Sequence, residues 1–203
     1  MNEALSNAWQ ATSTLELVSV VFGLAYVVLA ARENAWCWPA ALVNTATAII
    51  LFWDASLLME SGLNVFYLLI AVYGWWQWQY GGLDKSELQI STWPLKNHIF
   101  VLVAIVLLSL ASGSILSSNS TAALPYLDSL TTWSAVICTW MVTQKILENW
   151  LYWIVIDAAS IYLYIDRELY LYALLFALFT VIAVYGYFRW RTAYLAGSHE
   201  QTV

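Results

Sequence analysis

Hydrophobic residues in this chain run in seven long blocks, and most polar residues fall between the blocks. The blocks cover residues 14–31, 36–53, 61–80, 97–116, 126–144, 148–165 and 169–189. Each is close to the length of about 20 residues that an α-helix needs to cross the hydrocarbon core of a bilayer. The breaks carry charges and turn formers. Arg32, Glu33 and Asn34 close the first block, and Asp54 to Glu60 separate the second from the third. Gly81, Gly82, Asp84, Lys85 and Glu87 mark a loop, as does the Ser-, Thr- and Asn-rich stretch from Ser112 to Pro125. The fifth and sixth blocks turn tightly around Lys145, and the last two around Asp166, Arg167 and Glu168. The pattern predicts an all-α integral membrane protein with seven transmembrane helices. Composition agrees, since 62% hydrophobic and 10% charged residues are proportions that no ordinary soluble domain requires.

The blocks are not independent. Ile70, Ala71, Val72, Tyr73 and Gly74 recur as Ile182, Ala183, Val184, Tyr185 and Gly186, an offset of 182 − 70 = 112. The same offset carries Trp38 onto Trp150, Asp54 onto Asp166 and Trp78 onto Trp190. Helices one to three and five to seven therefore read as one unit used twice, with the fourth as connector, a 3+1+3 order. One intervening span gives the two three-helix bundles the same direction of insertion, so they are expected to lie parallel, with substrate passing between them. The segments are 1–96 for the first repeat, 97–122 for the linker helix and loop, and 123–203 for the second repeat. The fourth span is almost bare of polar groups and is expected to be a lipid-facing tether.

Charge sets orientation. Arg32, Lys85, Lys96, Lys145, Arg189 and Arg191 fall on one side of the seven spans, and Arg167 alone on the other. The basic side is expected to be cytoplasmic, with the amino terminus outside and the carboxyl terminus inside. No Lys or Arg precedes Arg32, so no secretory signal is expected. A net charge of −6 argues against nucleic acid as a partner. Cys37 and Cys138 have no metal-ligand spacing and read as small packing residues, and His98 and His199 form no cluster, so neither metal nor cofactor is expected. The chain lacks a His-Glu-x-x-His helix and a Gly-x-Ser-x-Gly elbow, which sets enzymes aside. Lys85, Lys96 and Lys145 lie at loops or helix ends, which leaves no mid-helix lysine for a retinal Schiff base.

One carboxylate lies near mid-membrane, Asp157 in the sixth span. An ionisable group there is costly and is expected to face a cavity or partner, the alternative being a protonated Asp bonded between helices. Asn149, Tyr152, Trp153, Ile156, Asp157, Ser160 and Tyr164 recur at spacings of three and four and share its face, while Leu151 and Val155 lie elsewhere. Gln144 and Glu148 extend this polar track, though Glu148 is expected to pair with Lys145. The equivalent helix of the first repeat offers Trp38 and Asn44. Trp38, Trp150 and Trp153 are candidates for stacking on a flat heterocycle or holding a cation. Trp75, Trp76, Trp78, Tyr80, Tyr187 and Trp190 are expected in the interfacial belts, and Ala71, Gly74, Ala183 and Gly186 at close helix contacts. No Lys or Arg lies inside a span, which suits a neutral or cationic solute better than a phosphate.

The run from Gln144 through Glu148, Asn149, Trp150, Tyr152 and Trp153 to Asp157, with Trp38-Pro39 and Val43-Asn44, resembles the PnuC family of bacterial nicotinamide riboside transporters. The resemblance covers nearly the whole chain. It implies a SWEET-like 3+1+3 fold, a homotrimer in the bacterial inner membrane, and uptake of nicotinamide riboside by facilitated diffusion. The proline-glutamine signature of SWEET-like repeats is absent, and PnuC-like relatives carry thiamine or riboflavin. On this resemblance Trp150 and Trp153 stack on the pyridinium, Asn44, Gln144 and Asn149 hydrogen-bond, Tyr152 and Trp38 line the site, and Asp157 orients the polar network or the ribose. A proton-coupled carrier using Asp157 is the alternative mechanism.

Overall fold

The computed structural model describes residues 14–54, 58–119, 124–166 and 170–200. Among them are seven α-helices: α1 (Thr14–Ala31), α2 (Cys37–Asp54), α3 (Leu58–Tyr80), α4 (Leu95–Asn119), α5 (Pro125–Thr143), α6 (Asn149–Asp166) and α7 (Tyr170–Glu200). The chain is an all-α membrane protein in 3+1+3 order. Local chemistry sets the boundaries. Asn34 Oδ1 accepts from the Trp36 amide at 2.9 Å ahead of α2, and α5 starts on Pro125, whose fixed φ and missing N–H suit a first turn. The last helix runs well past the expected end at residue 189, because Thr192 to Ala196 contain no breaker. Thr14–Ala31, Leu95–Ser118 and Ala173–Gly197 are long and apolar enough to cross a membrane on length and composition alone. The remaining helices carry buried polar residues such as Thr45, Ser61, Ser129, Ser134, Asn149 and Asp157.

The chain forms two compact units. One comprises Met1–Ala30 and Asn34–Trp76; the other comprises Ala31–Glu33 and Gln77–Val203. In the first, Asn44 Nδ2 on α2 donates to the Ser19 carbonyl at 2.7 Å and lies 3.1 Å from its hydroxyl. Ser61 Oγ on α3 donates to the Ile49 carbonyl at 3.1 Å. Ala40, Ala41 and Ala48 are buried, and such small residues let membrane helices approach closely.

In the second unit, α4 docks on α5 along a seam of every fourth residue, Val101, Ile105, Ser109 and Gly113. Ser109 Oγ donates to the Ser129 carbonyl at 3.4 Å, and Trp133 Nε1 donates to Ser112 Oγ at 3.0 Å. The rest of α4 is exposed, Phe100 at 74% and Leu107 at 62%. The helix expected to be a tether is thus exposed on most of its surface and packed along one stripe.

The repeat is written into the backbone. Before α2, Asn34 N bonds to Leu29 O at 2.9 Å, Cys37 N to Asn34 O at 3.0 Å and Trp38 N to Ala35 O at 3.0 Å. Before α6, Ile146 N bonds to Met141 O at 3.1 Å, Asn149 N to Ile146 O at 3.1 Å and Trp150 N to Leu147 O at 3.4 Å. Each of the second set lies 112 residues after its counterpart. Glu33 and Lys145, also 112 apart, share the left-handed conformation, with φ of 59° and 48°.

The glycines of the repeated pentapeptide have matching jobs. A Cβ on Gly74 would lie 2.5 Å from the Trp38 ring, and one on Gly186 would lie 2.8 Å from the Trp150 ring. Each Trp lies flat against a backbone that only glycine leaves open. Gly186→Ala is therefore expected to destabilise the protein by about 1–3 kcal/mol, the usual cost of overpacking, read as a lowered midpoint of thermal unfolding in detergent.

Two belt assignments are corrected. Trp78 and Trp190 are 2% and 0% exposed, and their rings meet edge to face at 5.8 Å. Trp78 Nε1 also donates to the Val142 carbonyl at 2.9 Å. Both rings sit in the protein interior, where a Trp is held by ring contacts and a satisfied N–H. Trp76 and Tyr80, at 54% and 52% exposure, do lie on the surface.

Candidate functional site

The loop after α3 has more structure than its Gly-rich sequence indicates. A 3₁₀ turn at Leu83–Lys85 is followed by an extended strap. The Ser91 amide donates to the Lys145 carbonyl at 3.0 Å, and the Leu147 amide donates to the Ser91 carbonyl at 2.8 Å. The Trp93 amide donates to Glu148 Oε2 at 3.3 Å. The strap therefore lies across the turn that joins α5 to α6.

That turn controls where α6 begins. Gln144 caps α5, Lys145 adopts its left-handed φ, and Asn149 opens α6. Lys145 does not pair with Glu148, the expected partner. Its Nζ bonds to Glu33 Oε1 at 2.9 Å and lies 4.7 Å from the centre of the Trp78 ring. The reason lies in the backbone: the turn at Lys145 removes the helical three-residue spacing that would have brought the Lys145 and Glu148 side chains together, and Glu148 is taken by the strap.

The polar face of α6 points inward. Asn149, Trp150, Asp157 and Ser160 are buried, while Leu151 and Val155 are 42% and 69% exposed. Asn149 Nδ2 donates to the Ile146 carbonyl at 2.6 Å, which fixes the plane of the amide. Its backbone carbonyl accepts from Cys138 Sγ at 3.2 Å. Asn149 Oδ1 and Trp150 Nε1 are both buried without a hydrogen-bond partner in the protein. An acceptor and a donor thus stand unsatisfied on consecutive residues. The Trp150 ring is held against Gly186 and meets Trp190 edge to face at 5.4 Å. Asp157 lies eight residues after Asn149, about 12 Å along the helix axis. It is 2% exposed, and no cation pairs with it among the described residues.

The other expected residues are placed as follows. Trp153 is half-buried on α6. Gln144 Nε2 donates to Thr143 Oγ1 at 3.2 Å, and its Oε1 accepts from Gln77 Nε2 at 3.4 Å. The Tyr152 hydroxyl is 3.0 Å from His98 Nδ1, with the rings stacked at 5.9 Å, so this residue ties α6 to the start of α4. Trp38 and Asn44 belong to the first unit, where Trp38 lies against Gly74 and Asn44 is engaged with Ser19. Among the described residues no group of His, Cys, Asp and Glu could hold a metal ion. Sequence reasoning did not single out the Glu33–Lys145 pair or Trp93, although the 112-residue offset places Glu33 and Lys145 at equivalent positions.

Comparison with known proteins fits this architecture. The chain is 25% identical to the nicotinamide riboside transporter PnuC of Escherichia coli (strain K12), over 88% of this chain and 85% of that one. It is 24% identical to the riboflavin/roseoflavin transporter RibM of Streptomyces davaonensis, over 72% of this chain and 70% of that one. In fold it matches the crystal structure of the vitamin B3 transporter PnuC with a TM-score of 0.73 at 21% identity, covering 95% of this chain and 87% of that one. The family model described as nicotinamide mononucleotide transporter matches residues 13–192, so the chain belongs to that family and is a PnuC-type membrane transporter, not an enzyme.

Proposed function

We propose that the protein takes up nicotinamide riboside by facilitated diffusion with alternating access, and that the inward face of α6 holds the substrate. The observation that carries this is the pair of unsatisfied buried groups, Asn149 Oδ1 and Trp150 Nε1. A buried polar atom without a partner costs about 1–3 kcal/mol, so a site that keeps two of them side by side is matched to a ligand that supplies both bonds. A carboxamide does so, with an N–H for Asn149 and a carbonyl for Trp150. Asp157, further along the helix, would face the ribose hydroxyls and act on the cationic pyridinium from a distance through its charge, with Trp153 beside them. The riboside is favoured over its mononucleotide because the buried lysine of this unit, Lys145, is already neutralised by Glu33 and so is not free for a phosphate.

In this reading the protein works as a homotrimer in the bacterial inner membrane, with its amino terminus outside, and serves NAD biosynthesis. Phosphorylation of the riboside inside the cell would trap it, so no coupling ion is needed. Gln144 has its present bonds within the protein and would join the site by exchanging them for substrate.

Proteoliposomes test the assignment. Labelled nicotinamide riboside is expected to equilibrate without an imposed gradient, and unlabelled riboside is expected to compete better than the mononucleotide, thiamine or riboflavin. Uptake that requires a proton gradient would remove the facilitator mechanism. Stronger competition by the mononucleotide would remove the riboside, and by riboflavin would move the chain towards RibM.

A further inference from the structure

The ion pair between Glu33 and Lys145 is not explained by substrate contact or by stability. Its side chains are 28% and 6% exposed. Desolvation of a buried pair takes back most of its Coulombic gain, so such a pair adds little net stability compared with apolar packing. Both residues also hold positive φ without being glycine, at 59° and 48°. Each such residue stores about 1–3 kcal/mol of backbone strain, which persists where the surroundings fix it. Strain and desolvation are thus concentrated at one contact.

Its position gives the contact a direction of action. Glu33 sits in the turn between α1 and α2, and Lys145 in the equivalent turn between α5 and α6, 112 residues later. The pair therefore joins corresponding turns of the two repeats, and both its residues belong to the second compact unit. From Lys145 the chain leads directly to the substrate residues. The Lys145 carbonyl accepts from Ser91, and the carbonyl of the next residue, Ile146, holds the Asn149 amide at 2.6 Å. Any movement of Lys145 is passed to Asn149 through one peptide and one hydrogen bond.

We propose that the Glu33–Lys145 pair is a clasp that positions Asn149 and that opens and re-forms in each transport cycle, coupling the turn of the first repeat to substrate held on α6. The inference rests on the transport reading above. Lys145 and Glu33 are positioning residues that act through Ile146 and Asn149. Opening the clasp releases the strained turn, and closing it re-aims the Asn149 oxygen.

The repeat supplies a specific test. Because both turns share one backbone conformation, the charges can be exchanged: Glu33→Lys with Lys145→Glu keeps the pair, and Trp190 is the repeat counterpart of Trp78 for the relocated lysine. Glu33→Gln and Lys145→Gln are each expected to lower the maximal rate of nicotinamide riboside uptake in proteoliposomes at least tenfold, with binding measured by calorimetry changed less than threefold. The exchanged double variant is expected to recover to within threefold of the parent. Single variants that transport normally, a double variant no better than the singles, or binding lost in proportion to rate would each overturn the clasp.

Alkylation of the buried native thiols Cys37 and Cys138 by a small water-soluble maleimide provides a readout without substrate. It is expected to speed up at least fivefold in the single variants and return to the parent rate in the exchanged one. If the parent protein binds no nicotinamide riboside, the substrate assignment fails, and the alkylation series still decides the clasp.

Discussion

Asn149→Ala is expected to weaken nicotinamide riboside binding by about 10–100-fold, the equivalent of about 1.4–2.8 kcal/mol, in calorimetric titration of the detergent-solubilised protein. The Asn149 amide is not a loose polar group. Its Nδ2 is committed to the Ile146 carbonyl at 2.6 Å, so its Oδ1 is held in one direction before substrate arrives. Such pre-orientation removes an ordering cost that a mobile side chain would carry into binding. The alanine variant loses both the acceptor and the bond to Ile146. Trp150→Phe isolates the neighbouring donor, since a phenyl ring still packs on Gly186 and Trp190 but has no N–H. It is expected to cost about three- to tenfold in affinity, the worth of one neutral hydrogen bond. Parent-like binding in both variants would place the substrate elsewhere. An unchanged unfolding midpoint in Trp150→Phe would show that the loss is one of recognition and not of folding.

The helices were legible because bilayer solvation leaves so few choices: blocks of apolar residues between charges fixed six of the seven helices to within a few residues. The exception, the end of α7, was missed because helix propensity carries on where hydropathy stops, through Arg189, Arg191 and Tyr194. The inward face of α6 was legible for a similar reason, since spacings of three and four give a face and Asp157 says which face avoids lipid. Trp78 and Trp190 were not. A Trp near a helix end suits both a belt and an interior, and only packing between distant segments decides. The repeat offset already paired them with each other, yet sequence alone does not say that equivalent residues touch. Lys145 failed for a different reason. Helical spacing favours Glu148 as its partner, but one residue with φ of 48° breaks that spacing and hands the lysine to Glu33. The strap from 81 to 94 was equally hidden, because its bonds to Lys145, Leu147 and Glu148 run mostly through backbone groups that every sequence has.

Asp157→Asn is expected to separate charge from shape. Asn fills the same space and keeps hydrogen-bonding capacity, so what it removes is the negative charge. Asp157 is buried and has no cationic protein partner among the described residues, and a charge in that position is costly inside a membrane. A pyridinium substrate would provide the missing countercharge. Across about 10 Å at an effective dielectric of about 20, such an attraction is worth about 1–2 kcal/mol, which corresponds to about 5–30-fold in affinity. The comparison ligand is the reduced, dihydropyridine form of the riboside, which has nearly the same outline and no ring charge. The variant is expected to bind the oxidised riboside about tenfold more weakly than the parent does, while binding of the reduced form changes less than about twofold. Equal losses for both forms would make Asp157 a hydrogen-bonding residue for the ribose. No loss for either would take it out of the site. The same variant also decides the rival mechanism, because a carrier that moves protons through Asp157 would show gradient-driven accumulation in the parent and only equilibration in Asp157→Asn. A facilitator shows equilibration in both, and the difference between them is then confined to affinity for the charged ring.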